Sequence, residues 1–158
     1  MNKKLIILLI AVVCIAAPAT AGPLTDADIS VGLFVGDNTS ATVRMDVSRN
    51  TAWVVNFGWG YGRGLYLRPQ YQLTIDDLQF QIQGLRFYPY IGAAAPLGLT
   101  KGFDLAADAV LGISYYFYDI PMEIYVESLL GLKVFQGGNI KLGPDFGGGI
   151  GVRYALGR

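Results

Sequence analysis

The stretch Phe103–Tyr118, FDLAADAVLGISYYFY, decides the fold class because its apolar residues recur at every second position. One set of alternate positions is apolar: Leu105, Ala107, Ala109, Leu111, Ile113, Tyr115 and Phe117. The other set is polar or small, apart from one tyrosine: Asp104, Asp108, Gly112, Ser114 and Tyr116. A period of two is typical of a β-strand whose two faces meet different surroundings. The stretch therefore predicts one long strand.

The same alternation recurs on both sides of this stretch. Further apolar runs begin near Ile29, Ala41, Trp53, Leu65, Leu85, Met122 and Phe146. Turn-forming residues separate several of them: Gly36-Asp37-Asn38, Ser48-Arg49-Asn50 and Asp119-Ile120-Pro121. Four short connections are predicted to be external loops: Gly36–Ser40, Tyr61–Gly64, Gly98–Gly102 and Gln136–Gly143. The pattern predicts eight strands of roughly ten residues each, with no helix and no linker.

The middle of the chain is ambiguous because the parity of its apolar residues changes twice. It changes at Asp76-Asp77 and again at Gln83-Gly84. Each change is compatible with a hairpin turn or with a β-bulge. We favour a single reversal near Gly84, with the two aspartates forming a bulge in a long fourth strand.

The N-terminus has the three parts of a cleavable signal peptide, predicted to span Met1–Ala21. Lys3 and Lys4 give a positive start, and the thirteen apolar residues Leu5–Ala17 are too few for a membrane span of ~20 residues. Ala19-Thr20-Ala21 supplies the small residues of a cleavage site before Gly22. The alternative is an uncleaved anchor. The mature domain is predicted to span residues 22–158.

Cys14 is the single cysteine, and it raises the alternative of a lipoprotein. Residues before a lipidated cysteine are normally small, but Val13 precedes this one, which lies inside the apolar run. We interpret Cys14 as part of the signal peptide, so the mature chain is expected to have no disulfide, thiolate metal site or cysteine nucleophile.

The charge balance argues against a nucleic-acid ligand. The chain has twelve basic and twelve acidic residues, and loss of Lys3 and Lys4 would leave a slight negative excess rather than a basic stripe. It also has no histidine. We expect no nucleic-acid partner, no cofactor, no metal site and no catalytic residue.

The two faces of the predicted strands favour a membrane barrel over a soluble one. One face is continuously apolar, whereas the other mixes glycine with charges of both signs, which can neutralise one another in a closed interior. Aromatic residues also lie near strand ends on the apolar face, as interfacial girdles do: Trp53, Trp59, Tyr61, Tyr115, Phe117 and Tyr154. Open sheet edges are not tolerated in lipid. The predicted fold is a closed antiparallel up-and-down transmembrane β-barrel; the alternative is an exported lipocalin-like barrel.

Two segments carry a resemblance to a known family. Phe103–Phe135 and Asp145–Leu156 are similar to the C-terminal half of small eight-stranded outer-membrane barrels of the OmpA/OmpX type. The resemblance extends to a poorly characterised spirochaete-like group with an aromatic-x-x-Pro turn, here Tyr118–Pro121, an acidic strand, here with Glu123 and Glu127, and a final Gly-x-Arg-Tyr strand, here Gly151–Tyr154. Tyr88–Ala94 resembles the fifth strand of that group. Such barrels often end on an aromatic residue, whereas this chain ends Leu156-Gly157-Arg158, and Tyr154 is the candidate replacement. The resemblance implies a fold and is almost silent on activity.

The inward-facing charges are interpreted as structural. Glu127 and Arg153 are predicted to form a buried ion pair between the last two strands, because buried charges persist only when paired. A wider interior network is predicted among Arg44, Arg68, Arg86, Asp46, Asp104 and Asp108. Glu123 and Glu127 also suggest acid–base catalysis, but four strand residues span about 13 Å, which is wider than glycosidase carboxylate pairs.

The glycine-rich segment Gly58–Gly64 is interpreted as part of a strand rather than a phosphate loop. Its glycines recur at every second residue, unlike those of dinucleotide-binding or P-loop motifs, and we expect them on the interior face, where they ease curvature. Four aromatic residues are predicted to fill the interior and block a general pore: Phe34, Tyr66, Tyr116 and Tyr125.

These features predict a non-enzymatic integral protein of the bacterial outer membrane with a structural or interaction role. Its expected partners are outer-membrane lipids and the barrel assembly machinery, and it is expected to be a monomer. A barrel that binds a small apolar ligand or lipid is the first alternative. A lipid-modifying enzyme is the second, disfavoured because the serine–histidine chemistry of such enzymes needs a histidine.

Overall fold

The structure is a computed structural model that describes residues 29–60, 64–100, 103–117 and 120–156. The predicted signal peptide at residues 1–21, with Cys14, lies outside the described residues. So do Tyr61 and Gly62, and Tyr118 of the proline turn.

The described residues form an antiparallel sheet of ten strands, which confirms the all-β prediction. The strands are β1 (Ile29–Gly36), β2 (Asn38–Ser48), β3 (Thr51–Gly60), β4 (Gly64–Thr74), β5 (Phe80–Ile82), β6 (Leu85–Ala94), β7 (Leu97–Gly98), β8 (Asp104–Tyr116), β9 (Met122–Gln136) and β10 (Asn139–Leu156). A short 3₁₀ turn covers Asp76–Leu78. In the described part of the chain, no helix is both long enough and apolar enough to cross a membrane.

Eight of these strands form a closed circuit of ladders. β1 pairs with β2 on one side and with β10 on the other, and consecutive pairings through β3, β4, β6, β8 and β9 complete the ring. The short strand β7 continues the line of β6 between β4 and β8, whereas β5 pairs with β6 alone. The eight strands are not spaced evenly around an axis.

The ladders of this ring are staggered. Paired residues can be followed from β1 to β10 in the order Ile29, Met45, Trp53, Tyr71, Ala93, Ala109, Leu130 and Phe146. The β1–β10 ladder ends at the pair of Gly36 with Gly149. Phe146 lies three residues before Gly149 on β10, so extension of the same register places it opposite position 39 on the line of β1. One circuit that starts at position 29 therefore advances ten residues along β1. A stagger of this kind accompanies strands that are inclined to the axis of a closed sheet.

The middle region contains the single reversal that the sequence favours. β5 runs in the direction of β4 and pairs with β6 through the turn Gln83–Gly84, where both residues have positive φ. The aspartates form a 3₁₀ turn rather than a bulge, because the backbone N–H groups of Leu78 and Gln79 donate to the carbonyls three residues earlier, at 3.1 and 3.2 Å. The reversal is confirmed, and the predicted bulge is wrong.

The predicted loop Gln136–Gly143 is also wrong, because most of it belongs to strands. β9 and β10 are joined by Gly137 and Gly138 alone, whose φ angles of 60° and 83° suit a tight turn that favours glycine. The β9–β10 register shifts between Ile140 and Gly143. The first residues of β10 do not read as a strand in the sequence because Gly137, Gly138, Gly143 and Pro144 are turn-forming residues.

The two faces of the ring carry opposite kinds of residue. Along β9, the buried Glu123, Tyr125 and Glu127 alternate with the exposed Ile124 and Val126. Large apolar side chains are exposed on every strand of the circuit, including Leu33, Val43, Phe57, Leu73, Ile91, Leu111, Leu130 and Ile150. The buried charged and polar residues therefore lie inside the ring, and most large aliphatic residues lie outside.

Candidate functional site

The interior of the ring is the candidate functional site because it is dominated by polar residues. Among the described residues, fifteen polar or charged residues are buried, against eleven apolar ones. They include three arginines and two glutamates: Arg44, Arg68, Arg153, Glu123 and Glu127. Such residues are almost never fully buried unless they are paired. Their contacts form two groups, named here the Glu123 cluster and the Glu127 cluster after their central carboxylates.

In the Glu123 cluster, one carboxylate joins four strands. Arg153 Nη1 donates to Glu123 Oε2 at 3.2 Å, and Ser114 Oγ donates to Oε1 at 2.5 Å. Arg44 Nη1 reaches the same Oε1 at 3.5 Å. Because Arg153 lies directly opposite Glu123 in the β9–β10 ladder, the register itself brings this pair together. Arg44 and Ser114 then connect β2 and β8 to it.

The two arginines of this cluster have further partners. Arg44 Nε donates to Asp46 Oδ1 at 2.8 Å, and Arg153 Nε donates to Thr42 Oγ1 at 3.3 Å. The Arg153 guanidinium also lies 3.7 Å from the centroid of the Tyr125 ring, within the range of a cation–π contact. These contacts fix the orientation of both guanidinium groups.

In the Glu127 cluster, the carboxylate accepts hydrogen bonds from β4 and β6. Arg68 Nη2 donates to Oε1, and Gln70 Nε2 and Tyr90 Oη each donate to Oε2 at 3.2 Å. The Arg68 guanidinium lies 4.8 Å from the centroid of the Phe34 ring. This cluster therefore crosses the interior from β9 to β4.

Asn56 connects the two clusters. With its amide oriented so that both ends find partners, its oxygen accepts from Arg68 Nη2 and Nε at 3.1 and 3.2 Å. Its nitrogen then donates at 3.0 Å to Thr42 Oγ1, the atom that also accepts from Arg153. Thr42 and Asn56 thus make one continuous network of the two clusters.

The predicted ion pair between Glu127 and Arg153 is wrong. The register places Gly149, not Arg153, opposite Glu127. The absence of a side chain at Gly149 leaves Glu127 to pair with Arg68 across the ring, while Arg153 pairs with Glu123. Both residues are paired in the interior as expected, but with other partners. Glu127 pairs with Arg68 of β4, and Arg153 pairs with Glu123, which lies four residues before Glu127.

The wider predicted network is partly confirmed. Arg44 pairs with Asp46, whereas Arg68 pairs with Glu127, and Arg86 is exposed on β6. Asp104 accepts a hydrogen bond from the Gly137 backbone N–H at 2.7 Å, and Asp108 is buried. Other interior polar residues have no role predicted from the sequence: Thr42, Asn56, Gln70, Gln72, Tyr90, Ser114 and Asp145. Alternation predicts the polar face for residues such as Ser114, but it does not identify their partners.

The interior glycines provide flat positions against which aromatic rings pack. Tyr66 is paired with Gly58, Tyr90 with Gly112, and Tyr125 with Gly151 across neighbouring strands. A Cβ atom at Gly112 or Gly151 would overlap the ring that faces it, and one at Gly58 would overlap the backbone of β2. The structural interpretation of the interior glycines is therefore confirmed at Gly58.

The four aromatic residues predicted to fill the interior lie on its inner side, but they are not equally buried. Phe34, Tyr66 and Tyr125 are buried, whereas Tyr116 is half-buried near the end of the ring where β1 begins and β10 ends. We call this the terminal end. A small recess there is lined by Ser30, Arg44, Asp46, Tyr116, Glu123 and Arg153, among others.

The recess suits water rather than an organic ligand. The space in it that is open to the centre of a water-sized sphere is about 40 Å³, and one water needs ~10–15 Å³ of such space. Within the described ranges, no group of three or more side chains is placed to hold a metal ion. Both oxygens of each central carboxylate already accept hydrogen bonds. The arrangement is thus suited to bracing the strands against one another.

Comparisons of the chain with protein-family models, with curated proteins and with solved structures found no match. The resemblance to small outer-membrane barrels therefore stays a prediction, based on the residues that carry it.

Proposed function

We propose that this protein is a non-enzymatic β-barrel of the bacterial outer membrane, with a structural or interaction role. In this proposal the eight-stranded circuit spans the membrane as a closed antiparallel up-and-down barrel after removal of the signal peptide. Its immediate partners are outer-membrane lipids and, during biogenesis, the barrel assembly machinery. It acts as a monomer.

The observation that carries the proposal is the continuous apolar outer face of the ring. Aliphatic side chains such as Leu33, Leu111 and Leu130 are between 56 and 61% exposed. Soluble monomers rarely expose one contiguous apolar surface of this extent, whereas the outer surface of a membrane barrel must be apolar. Lipid is the solvent that such a face requires.

The pairing pattern supports the same proposal. A sheet that spans lipid must have no open edge, and the eight-stranded circuit returns to its first strand. Its advance of ten residues per circuit fits the inclined strands of transmembrane barrels. Exposed aromatic residues lie near both ends of the strands, with Tyr71 and Tyr154 towards the terminal end and Trp59 towards the other.

The interior argues for a structural rather than a catalytic or carrier role. A lipocalin-like carrier needs an apolar chamber, but the inner face carries the Glu123 and Glu127 clusters and rings packed on glycine. The carboxylates that could act as acid and base are held by arginines: Glu127 by Arg68 across the ring, and Glu123 by Arg153 on the neighbouring strand. An enzyme would need catalytic groups that are free to meet a substrate.

Subcellular fractionation combined with a heat-shift gel tests this proposal. When the full chain is expressed with its signal peptide in a Gram-negative host, the mature protein is expected in the outer-membrane fraction. In detergent it is expected to migrate faster unheated than boiled, because a closed barrel resists unfolding by detergent. Release into a soluble periplasmic extract would contradict the proposal.

A further inference from the structure

The hairpin between β5 and β6 extends beyond the eight-stranded circuit. The β4–β6 ladder ends at the pair of Thr74 with Tyr90. Past this pair, β6 continues to Leu85 and is joined to β5 by three residue pairs, of which only the one that includes Phe87 also contacts β8. We call residues Phe80–Phe87 the terminal-side hairpin, because it lies at the terminal end.

The terminal-side hairpin has one apolar and one polar face. Phe80 is paired with Phe87 and Ile82 with Leu85, so these four side chains share a face. Gln81 and Arg86 form the pair between them and lie on the opposite face. The apolar residues Phe80, Ile82 and Leu85 are 40, 55 and 45% exposed. An apolar face this exposed on so short a hairpin needs a cover, since two-stranded hairpins are marginally stable in water.

The apolar face of the hairpin is continuous with the outer face of the ring. Phe87 is paired with Tyr115 of β8, and the residues flanking Tyr115, Ser114 and Tyr116, lie on the inner side with Arg44 and Glu123. Four aromatic rings follow one another along this surface, from Phe80 through Phe87 and Tyr115 to Phe117. Their successive centroids are 5.4, 5.7 and 4.9 Å apart. A molecule that covers the outer face of the ring beside Tyr115 therefore also reaches the apolar face of the hairpin.

We infer that the terminal-side hairpin inserts its apolar face into the membrane surface at the terminal end of the barrel. The occupant is lipid, because the hairpin prolongs the surface that the proposed function assigns to lipid. Aromatic rings are favoured at the lipid–water boundary, and the glutamines and Arg86 of the opposite face suit water or headgroups. The inference rests on the proposed function.

Single-tryptophan variants in lipid vesicles test this inference. In a background with Trp53→Phe and Trp59→Phe, tryptophan is placed on the apolar face by Ile82→Trp or Leu85→Trp. Gln81→Trp and Arg86→Trp are the matched controls on the polar face, and Leu111→Trp reports on the middle of β8 in the ring. Each variant is refolded into phosphatidylcholine vesicles, with folding checked by the heat-shift gel. Emission is recorded with and without lipids brominated near the glycerol or near the methyl end of the acyl chain.

Tryptophans at positions 82 and 85 are expected to emit at shorter wavelength than those at 81 and 86. We also expect them to lose intensity with bromines near the glycerol, and Leu111→Trp to lose most with bromines near the methyl end. Quenching at 111 without quenching at 82 and 85 would overturn the inference but leave the proposed function standing. No quenching at 111 would overturn both. Equal quenching at 81 and 82 would contradict the two-faced insertion.

Discussion

The inner and outer surfaces of the same strands differ in how their residues are held. Inside, the central charged groups of the two clusters have named partners: Glu123 meets Arg153, Arg44 and Ser114, and Glu127 meets Arg68. Outside, aliphatic residues such as Val126 are exposed and make no specific contacts of this kind. The inner surface therefore depends on precise pairing, whereas the outer surface depends on its solvent. Substitutions on the two surfaces should fail for different reasons.

The largest effect is expected from Glu123→Leu on the inner surface. This change removes the anion that faces both Arg44 and Arg153, and it leaves two buried cations with reduced compensation. Loss of one member of a buried ion pair costs ~3–5 kcal/mol. The free energy of unfolding, measured by urea titration in phospholipid vesicles, should fall by about that amount. Arg153→Leu should lower the free energy of unfolding by less, because Glu123 keeps Arg44 and Ser114. Equal losses would contradict the central position of Glu123 in its cluster.

A double-mutant cycle between Arg68 and Glu127 is expected to show strong coupling. Each single change, Arg68→Met or Glu127→Leu, leaves an unpaired buried charge, whereas the double change removes both. The coupling energy from unfolding in vesicles should be about 1–3 kcal/mol in favour of the double variant. The same cycle between Arg153 and Glu127 should give a much smaller value. A larger value for that second cycle would favour the pairing that the register rules out.

Gly151→Ala tests the packing of aromatic rings on the inner wall. The new Cβ would overlap the Tyr125 ring, on which the Arg153 guanidinium stacks. Overpacking of this kind typically costs about 1–3 kcal/mol, visible as a lower urea midpoint in vesicles. Gly143→Ala is the control, since a Cβ there meets nothing within 4 Å. If both variants unfold at the same midpoint, the glycine does not act as a packing surface.

The smallest effect is expected from Thr42→Val, which breaks the connection between the two clusters. Thr42 accepts a hydrogen bond from Arg153. It accepts a second one from Asn56 when the Asn56 amide is oriented as described. The loss should be about 1–2 kcal/mol, because Arg153 keeps its ion pair with Glu123 and the Asn56 oxygen keeps its hydrogen bonds from Arg68. When Thr42→Val is combined with Glu123→Leu, the total loss of unfolding free energy should be less than the sum of the two single losses. The urea midpoints of the two single variants and the double variant measure this. Full additivity would mean that Thr42 does not act through the Arg153–Glu123 pair.

Much of the fold is predictable from the sequence because one local rule generates it. Period-two alternation places Glu123, Tyr125 and Glu127 on one side of β9 and Ile124 and Val126 on the other, as the structure has them. The reversal at Gly84 is likewise predictable, since glycine tolerates the positive φ of that turn. These features depend only on neighbours along the chain.

The partners inside the ring are not predictable in the same way. Whether Arg153 meets Glu123 or Glu127 depends on the β9–β10 register, and a shift of four residues keeps every side chain on its own face. The pairing of Arg68 with Glu127 depends further on closure and stagger of the whole circuit. Long-range geometry decides these features, and single-sequence periodicity carries no record of it.

The effect of Val126→Arg on the free energy of unfolding in phospholipid vesicles tests the central claim most directly. Val126 is 53% exposed, lies on the outer face of β9, and is flanked in the chain by the inward-facing Tyr125 and Glu127. If lipid covers this face, a charge there should cost about 2–4 kcal/mol, while Leu156→Arg at the strand end should cost about 0–1 kcal/mol. A cost near zero for both substitutions would show that water covers the outer face, and would contradict the account.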